Sequence, residues 1–128
     1  KNKQPIWASD FYDALYKSKM ALNLSRINNV KYYSSNRIAS LIGNGILTFV
    51  DINTKLNHFF ADNEVIFYKN LNNFSNKINY YKSNHSKRNE IARNGKKKYF
   101  KMFNNKIIAE FICSRLFNSK FKKLPWMR

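Results

Sequence analysis

The stretch GNGILTFV, residues 43–50, decides the fold of this chain. Glycine adopts the left-handed backbone conformation that ends many helices, so Gly43–Asn44–Gly45 predicts a helix end. Ile46–Val50 is a continuous apolar run of strand length, which is typical of a parallel strand covered on both faces. We therefore expect a helix to end, and a buried strand to begin, within this stretch.

Upstream of this stretch the sequence predicts a helix, a strand and a second helix. Ser9–Lys19 indicates a helix capped by Ser9, because its apolar residues recur at four-residue spacing. Met20–Leu24 is short and apolar, which indicates a strand. A cluster of capping residues, Ser34–Asn36, then introduces a helix over Asn36–Ile42 that ends at the glycines.

Downstream of the stretch the sequence predicts a third strand and further helices. Asp51–Phe60 indicates a short helix after a turn, and Glu64–Tyr68 indicates a strand. Three more helices are expected over Leu71–Lys82, over Ser86–Asn94 with Gly95 as a stop or kink, and over Asn105–Phe117. The last helix carries an amphipathic apolar stripe of Ile107, Ile108, Phe111, Ile112 and Leu116.

The alternation of strands and helices predicts an α/β, Rossmann-like fold with a three-stranded parallel sheet followed by C-terminal helices. Three strands make a thin sheet, so we expect the second half of a doubly wound domain. The expected boundaries are a partial domain over residues 1–118 and a basic, aromatic tail over residues 119–128. Because the first residue is Lys1 and not Met, we expect the chain to be processed or cut from a longer protein.

The charge of the chain indicates an anionic partner. Among 128 residues, 24 are basic and 7 acidic, which gives a net charge of +17. Such a charge suggests nucleic acid, an anionic membrane or a phosphate-bearing ligand, and the 44% hydrophobic content excludes a disordered basic tail. The chain is also rich in Asn, Lys, Ile, Phe and Tyr, whose codons are A/T-rich, so genome composition accounts for the excess as readily as selection does.

Several classes of site are disfavoured by the sequence. Cys113 is the single cysteine, which excludes a disulfide framework, and its apolar helical setting predicts a core thiol. His58 and His85 have no metal-binding spacing, so we expect no metal site. No apolar run approaches the roughly 20 residues of a membrane span. We therefore expect a soluble, cytoplasmic protein.

Polar residues follow two of the predicted strands, at Asn23–Arg26 and at Asp51–Thr54. Ligands of open α/β sheets bind outside the carboxyl ends of the strands. The first segment leads to a helix start, where free amides and the helix dipole favour an anion. The candidate phosphate-binding residues are Arg26, Ser34, Ser35, Asn36 and Arg37. The alternative is an ordinary helix cap with two solvated arginines.

A series of motifs, in this order and spacing, resembles a known family. The motifs are Phe11–Tyr12, Leu15, Ser18–Arg26, Ser34–Ile38, Gly43–Thr48, Phe59–Phe60, Glu64–Val65, Tyr68, Lys77–Ile78 and Ile91–Gly95. Together they resemble the C-terminal region of group 1 glycosyltransferases, whose GT-B architecture has two Rossmann-like domains. The resemblance covers about Trp7–Phe117. It implies binding of a nucleotide-sugar donor at the cleft between the two domains, with no cofactor and no required metal.

The sequence departs from this family at two acidic positions. Family members carry a carboxylate, which binds the donor ribose, three positions after the helix-start arginine; here that position is Ser40. A second family acid falls around Tyr32 or Tyr33. Ser40 keeps one hydrogen bond but cannot accept two ribose hydroxyls as a carboxylate does. The resemblance therefore supports phosphate contacts better than ribose contacts, and it places a structural acid at Glu64.

The resemblance implies a glycosyltransferase that uses a nucleotide-diphosphate sugar in surface polysaccharide or lipopolysaccharide synthesis. Arg26 and Arg37 would stabilise the charge that develops on the leaving diphosphate. We expect this chain by itself to be inactive, because its partner, the N-terminal acceptor domain of the same enzyme, is missing.

The charge leaves two other partners open. The alternative function is a basic nucleic-acid-binding module, because the run Lys96–Lys101 places aromatic rings beside cations, as suits single strands. Against it, the aromatic residues recur at core spacing, so we expect nucleic acid not to be the partner. The tail Lys120–Trp126 could also contact an anionic membrane, at the inner membrane face, unless it is simply a frayed terminus.

Overall fold

A computed structural model of the chain describes residues 5–25, 30–119 and 124. Within these residues, helices and strands alternate as far as the third strand and are followed by three helices. The elements are α1 (Ala8–Lys17), β1 (Met20–Asn23), α2 (Asn36–Gly43), β2 (Leu47–Asp51), β3 (Ile66–Tyr68), α3 (Leu71–Ser83), α4 (His85–Phe103) and α5 (Asn105–Leu116). The expected tail over residues 119–128 lies outside the described residues, apart from Ser119 and the buried Leu124.

The three strands form one parallel sheet in the order β1-β2-β3. The central strand is β2, in which Phe49 aligns with Leu22 of β1 on one side and with Ile66 of β3 on the other. Side chains of β2 are buried on both faces of the sheet: Val50 packs with α2, and Phe49 packs against α3 and α4. The predicted α/β fold with a three-stranded parallel sheet and C-terminal helices is therefore confirmed.

The end of α2 confirms the glycine-based helix stop. Gly45 adopts a positive φ of 72°, and its N–H donates to the carbonyl of Ile42 at 2.9 Å. The N–H of Ile46 donates to the carbonyl of Leu41 at 3.1 Å. These two bonds form a Schellman motif, which satisfies the last carbonyls of the helix and leads directly into β2.

The segment between β2 and β3 differs from the prediction of a short helix over Asp51–Phe60. Asp51 is the last residue of β2, and two short 3₁₀ turns follow, Ile52–Thr54 and Leu56–His58. Asp51 accepts the N–H of Asn53 at 2.8 Å, and Lys55 has a positive φ of 58°. A short polar side chain that bonds its own backbone, together with a left-handed residue, prevents a continuous α-helix here.

Helix α1 begins one residue earlier than predicted, at Ala8, and ends at Lys17. The residue at the N-cap is Trp7, which makes no side-chain capping bond, so the predicted cap by Ser9 is wrong. Ser18 leaves the helix in an extended conformation, although its hydroxyl still donates to the carbonyl of Ala14 at 2.6 Å. The helix is therefore shorter than the apolar spacing indicates.

The sequence predicts that a helix stops or kinks at Gly95. No stop occurs there, because Gly95 lies inside helix α4, which runs from His85 to Phe103. Gly95 is buried, and a Cβ built there would overlap the backbone carbonyl of Glu64. Glycine at this position therefore allows α4 to approach the turn before β3 directly. Ahead of Gly95, Ile91 packs with one core cluster, and after it Tyr99 packs against another, so α4 contributes to the core on both sides of the sheet.

Helix α5 confirms the predicted helix but only part of its burial. Ile107, Ile108 and Phe111 are half-buried, whereas Ile112 and Leu116 of the same predicted stripe are 51% and 72% exposed. Cys113 is also exposed, so the prediction of a core thiol is wrong. The residues of a helical apolar pattern can face solvent when too few elements are present to cover them.

We expect Gly95→Ala to lower the free energy of unfolding by roughly 1–3 kcal/mol, because a methyl group has no room against the Glu64 carbonyl. Gly43→Ala is the matched control. A Cβ at Gly43 would lie at an ordinary 3.9 Å from Tyr99, and alanine has a higher helix propensity than glycine at this last position of α2. Urea denaturation of both variants measures the difference. Equal stabilities would contradict the close approach of α4 to β3.

Candidate functional site

The carboxyl ends of the three parallel strands lie at one edge of the sheet, which we call the carboxyl edge. It is formed by Asn23 at the end of β1, Asp51 at the end of β2 and Tyr68 at the end of β3. The start of α2 is tied to this edge, because the guanidinium of Arg37 donates to the carbonyl of Leu24 at 2.8 Å. The predicted helix-start residues therefore lie beside the predicted strand end.

Buried polar atoms without partners are concentrated at the carboxyl edge. Four such side-chain atoms occur in the described part of the chain, and three of them belong to Asn23, Ser25 and Ser35. The side chain of Asn23 is almost fully buried, with 2% of the residue exposed. Buried polar groups are normally hydrogen-bonded, since an unsatisfied one costs about 1–3 kcal/mol. These atoms make the carboxyl edge a candidate site for a polar ligand.

The start of α2 leaves its first amides open to such a ligand. Ser35 occupies the N-cap position with an extended backbone, as predicted, but its hydroxyl does not cap the helix. No acidic residue occurs in the first turn, so no carboxylate competes for the positive end of the helix dipole. Ser34 and Asn36 beside it are exposed. This arrangement favours a negatively charged group.

The other predicted site residues have different positions. Arg37 is exposed, and one of its guanidinium nitrogens donates to the carbonyl of Leu24. The other N–H groups of the guanidinium can donate to a ligand. Ser40 lies one turn further along α2, where its hydroxyl donates to the carbonyl of Asn36 at 3.2 Å. Arg26 lies outside the described residues. The ligand contacts of all three stay predictions.

A contact between Tyr32 and His58 was not foreseen from the sequence. The Tyr32 hydroxyl lies 2.6 Å from Nδ1 of His58, and the Tyr32 N–H donates to the carbonyl of Thr54 at 2.8 Å. The rings of Tyr32 and Phe59 form an edge-to-face pair whose centroids are 5.0 Å apart. Tyr32 has a positive φ of 63°, which is rare for a bulky residue and occurs often at functional sites. These contacts join the loop before α2 to the segment after β2.

Hydrogen-bonding groups continue along the edge to β3. Asp51 and Tyr68 are paired in the sheet register, and burial together with the Asp51 charge raises the pKa of the Tyr68 hydroxyl. Tyr68 therefore stays neutral at physiological pH. The ammonium of Lys77 donates to the carbonyl of Phe67 at 2.6 Å. A carboxylate, a phenol and an ammonium thus lie near the ends of β2 and β3.

The described residues contain no group of three or more His, Cys, Asp or Glu side chains placed to hold a metal ion. Glu64 accepts the N–H of Ala61 at 2.9 Å, so it caps the turn before β3, in keeping with a structural acid. None of the helices in the described ranges is both long enough and apolar enough to cross a membrane.

Comparison with protein families identifies the chain. A family model described as glycosyl transferase-like matches residues 1–114, nearly the full length. The chain belongs to this glycosyl transferase-like family. No curated protein and no solved structure matches it. The predicted resemblance to a glycosyltransferase C-terminal region is thereby confirmed at the level of the family.

The basic run of this glycosyltransferase-like chain lies on α4, over residues 96–101. Tyr99 is half-buried against the core and 5.5 Å from the ring of Phe103, so it does not offer a free face to a nucleobase. Phe100 is 50% exposed. The stacking pattern that favours single-stranded nucleic acid is therefore reduced to one ring.

We expect Asn23→Leu to raise the free energy of unfolding by about 1–3 kcal/mol, because it replaces a side chain whose buried amide oxygen has no partner by an apolar group of similar size. Thr48→Val is the matched control on β2, since Thr48 is equally buried but donates to the carbonyl of Ile46 at 2.9 Å. The control should leave stability unchanged or lower it. Urea denaturation compares the two, and a destabilising Asn23→Leu would show that the amide supports the fold.

Proposed function

We propose that this chain is the donor-binding part of a glycosyltransferase of GT-B architecture, and that it binds a nucleotide-diphosphate sugar at the carboxyl edge. The observation that carries the proposal is the group of buried, unpartnered polar atoms of Asn23, Ser25 and Ser35 beside the uncapped start of α2. The family supports glycosyl transfer in general. The donor site is our assignment within that activity.

The diphosphate is held at the start of α2. Its oxygens accept hydrogen bonds from the first backbone amides of the helix and from Ser34, Ser35 and Asn36. Arg37, held in place by the Leu24 carbonyl, adds charge-assisted bonds, and Arg26 contributes a second guanidinium. The absence of an acid in the first turn of α2 supports this orientation of the diphosphate.

The nucleoside lies against the contact between Tyr32, in the loop before α2, and His58, in the segment after β2. The rings of Tyr32 and Phe59 supply an aromatic surface suited to a nucleobase. Ser40 contributes one hydroxyl toward the ribose, provided that its bond to the Asn36 carbonyl is exchanged. A single hydroxyl binds ribose more weakly than a carboxylate, so most of the affinity comes from the phosphates.

In the transfer step the acceptor hydroxyl attacks the anomeric carbon of the donor, and the bond from that carbon to the diphosphate oxygen breaks. Negative charge then develops on the leaving nucleoside diphosphate. Arg26, Arg37 and the helix dipole stabilise it, since preorganised positive groups act most strongly where charge develops. The reaction needs no cofactor and no metal from this chain.

The acceptor and its activating base belong to an N-terminal domain of the same enzyme, so this chain by itself does not turn over. We place the enzyme in surface polysaccharide or lipopolysaccharide synthesis, in the cytoplasm. Its basic C-terminal tail would touch the anionic inner face of the membrane, where each basic residue contributes about 1 kcal/mol.

We expect UDP, GDP or ADP to shift the amide NMR signals of Asn23, Ser25 and residues 34–37. Arg37→Gln keeps a polar side chain but removes the charge, so it should weaken nucleotide binding roughly 10- to 100-fold. The loss of one exposed hydrogen bond to the Leu24 carbonyl should change the melting temperature little. Arg115→Gln is the charge-matched control, because Arg115 is exposed on α5. It should retain wild-type affinity.

Two results would overturn this assignment. One is that no nucleoside diphosphate shifts the signals of residues 34–37. The other is that single-stranded oligonucleotides bind tightly and in a salt-sensitive manner while nucleoside diphosphates do not, which would favour the nucleic-acid-binding module.

A further inference from the structure

A cavity of about 920 Å³ opens at the amino edge of the sheet, opposite the carboxyl edge. Its walls come from three parts of the chain: α1 with the turn before β1, the turn between α2 and β2, and α4. Lys19 and Ile46, which immediately precede β1 and β2, both line it. The volume lies within the range of about 300–1,000 Å³ that is usual for small-molecule sites.

The charged groups of this amino-edge cavity are mostly positive. Lys19 lies before β1, while Arg93 and Lys96 lie on α4, and the single carboxylate in the lining is Asp13 of α1. None of the three cations forms an ion pair with a carboxylate of the described residues. A concave surface with low-dielectric walls concentrates the potential of such charges. The cavity therefore attracts anions.

The stem of one cation lies beside the turn that ends α2. A Cβ built on the left-handed Gly45 would be 3.5 Å from Cδ of Lys96, so the lysine stem runs close to this glycine. Lys96 therefore stands at the cavity wall next to the end of α2. Arg93 lies almost one turn earlier on the same helix, so both cations face the cavity from a rigid element.

Two tyrosines line the other side of the amino-edge cavity. Tyr12 and Tyr16 are one turn apart on α1, and they are 69% and 87% exposed. Rings with this exposure contribute little to the packing of the core. An aromatic ring with a hydroxyl suits the uncharged part of a ligand, such as a sugar, whose C–H groups pack on the face while its hydroxyls bond the phenol.

We propose that the amino-edge cavity is a second ligand site, which binds a small molecule with two or more phosphate groups through Lys19, Arg93 and Lys96. Tyr12 and Tyr16 contact the remainder of the ligand. The site differs from the donor site because it lies at the other end of the strands, and it does not depend on the proposed donor. Two classes of ligand share the required phosphate groups: inorganic oligophosphates and sugars that carry two phosphates.

Titration of the full chain with tripolyphosphate and with fructose 1,6-bisphosphate, followed by calorimetry and NMR, tests the proposal. We expect shifts of the amide signals of Lys19, Gly45 and Arg93. Lys96→Gln combined with Arg93→Gln should weaken binding at least about tenfold, the scale of a lost charge-assisted contact. Asp13→Asn should tighten binding, because it removes the opposing charge. Tighter binding of the sugar bisphosphate than of tripolyphosphate would identify the sugar as the source.

The control has the same net charge as the double variant. Lys82→Gln combined with Arg115→Gln removes one lysine and one arginine from exposed positions on α3 and α5, outside the cavity lining. It should retain wild-type affinity for both probes. Arg37 is not in the cavity lining, so Arg37→Gln should leave the tripolyphosphate-induced shifts of Lys19, Gly45 and Arg93 unchanged, which separates this site from the donor site.

Three outcomes would overturn the proposal. The first is an equal loss of affinity in the control and in the cavity variant, which would mean diffuse attraction to a basic surface. The second is the absence of shifts at the cavity residues. The third is that a single-stranded oligonucleotide displaces both probes at lower concentration, which would make the cavity part of an extended nucleic-acid surface.

Discussion

The structure depends on the burial of β2. Leu47, Phe49 and Val50 are each at most 1% exposed, so these residues of the strand are shielded from water. A strand in that position must hydrogen-bond its backbone on both sides, which β1 and β3 do in parallel register. Parallel strands need crossover connections, and the crossover from β1 to β2 puts α2 on one face of the sheet. Helices α3 and α4, which follow β3, cover the other face, and the second half of α4 also reaches the α2 side. Both candidate sites follow from this arrangement, because the crossover brings the start of α2 to the carboxyl edge and the end of α2 to the amino edge of the sheet.

Local patterns therefore predict the elements that β2 organises. The apolar run at Ile46–Val50 and the glycines before it carry enough information to define a helix end and a strand. Prediction from local sequence fails where contact with a part of the chain that is distant in sequence determines the local structure. Gly95 is locally a helix breaker, yet it lies within α4 because the Glu64 carbonyl needs the space of the missing Cβ. Cys113 has apolar neighbours in sequence, but it is exposed, because among the described elements α5 packs mainly against α4.

The same distinction holds for the candidate donor site, where local sequence predicts some of the residues and long-range contacts determine the others. A serine-rich helix start followed by arginine is visible in sequence, and the structure places Ser35 and Arg37 at the end of β1. The contact of Tyr32 with His58 joins residues 26 positions apart, and nothing in either local pattern indicates it. Likewise, the burial of Asn23 depends on the pairing of β1 with β2. Sequence reasoning therefore predicts the residue types of the site, whereas the fold determines which of them lack partners.

The net charge of +17 acts on this fold as a surface property, not as a source of stability. The ion pairs among the described residues, Lys87–Glu90 and Lys106–Glu110, are exposed pairs within single helices, and such pairs contribute about 0.3–0.5 kcal/mol each. Most cations face solvent and repel one another over a distance of roughly 8–10 Å at physiological salt. Repulsion of this kind is reduced wherever an anion binds between cations. The start of α2 at one edge of the sheet and the wall of the cavity at the other are two places, among the described residues, where the fold holds positive groups around a polar or concave surface. The two proposed sites imply that a basic composition that arises without selection can still acquire specific anion sites, since the sheet and its helices determine which of the many cations lie together.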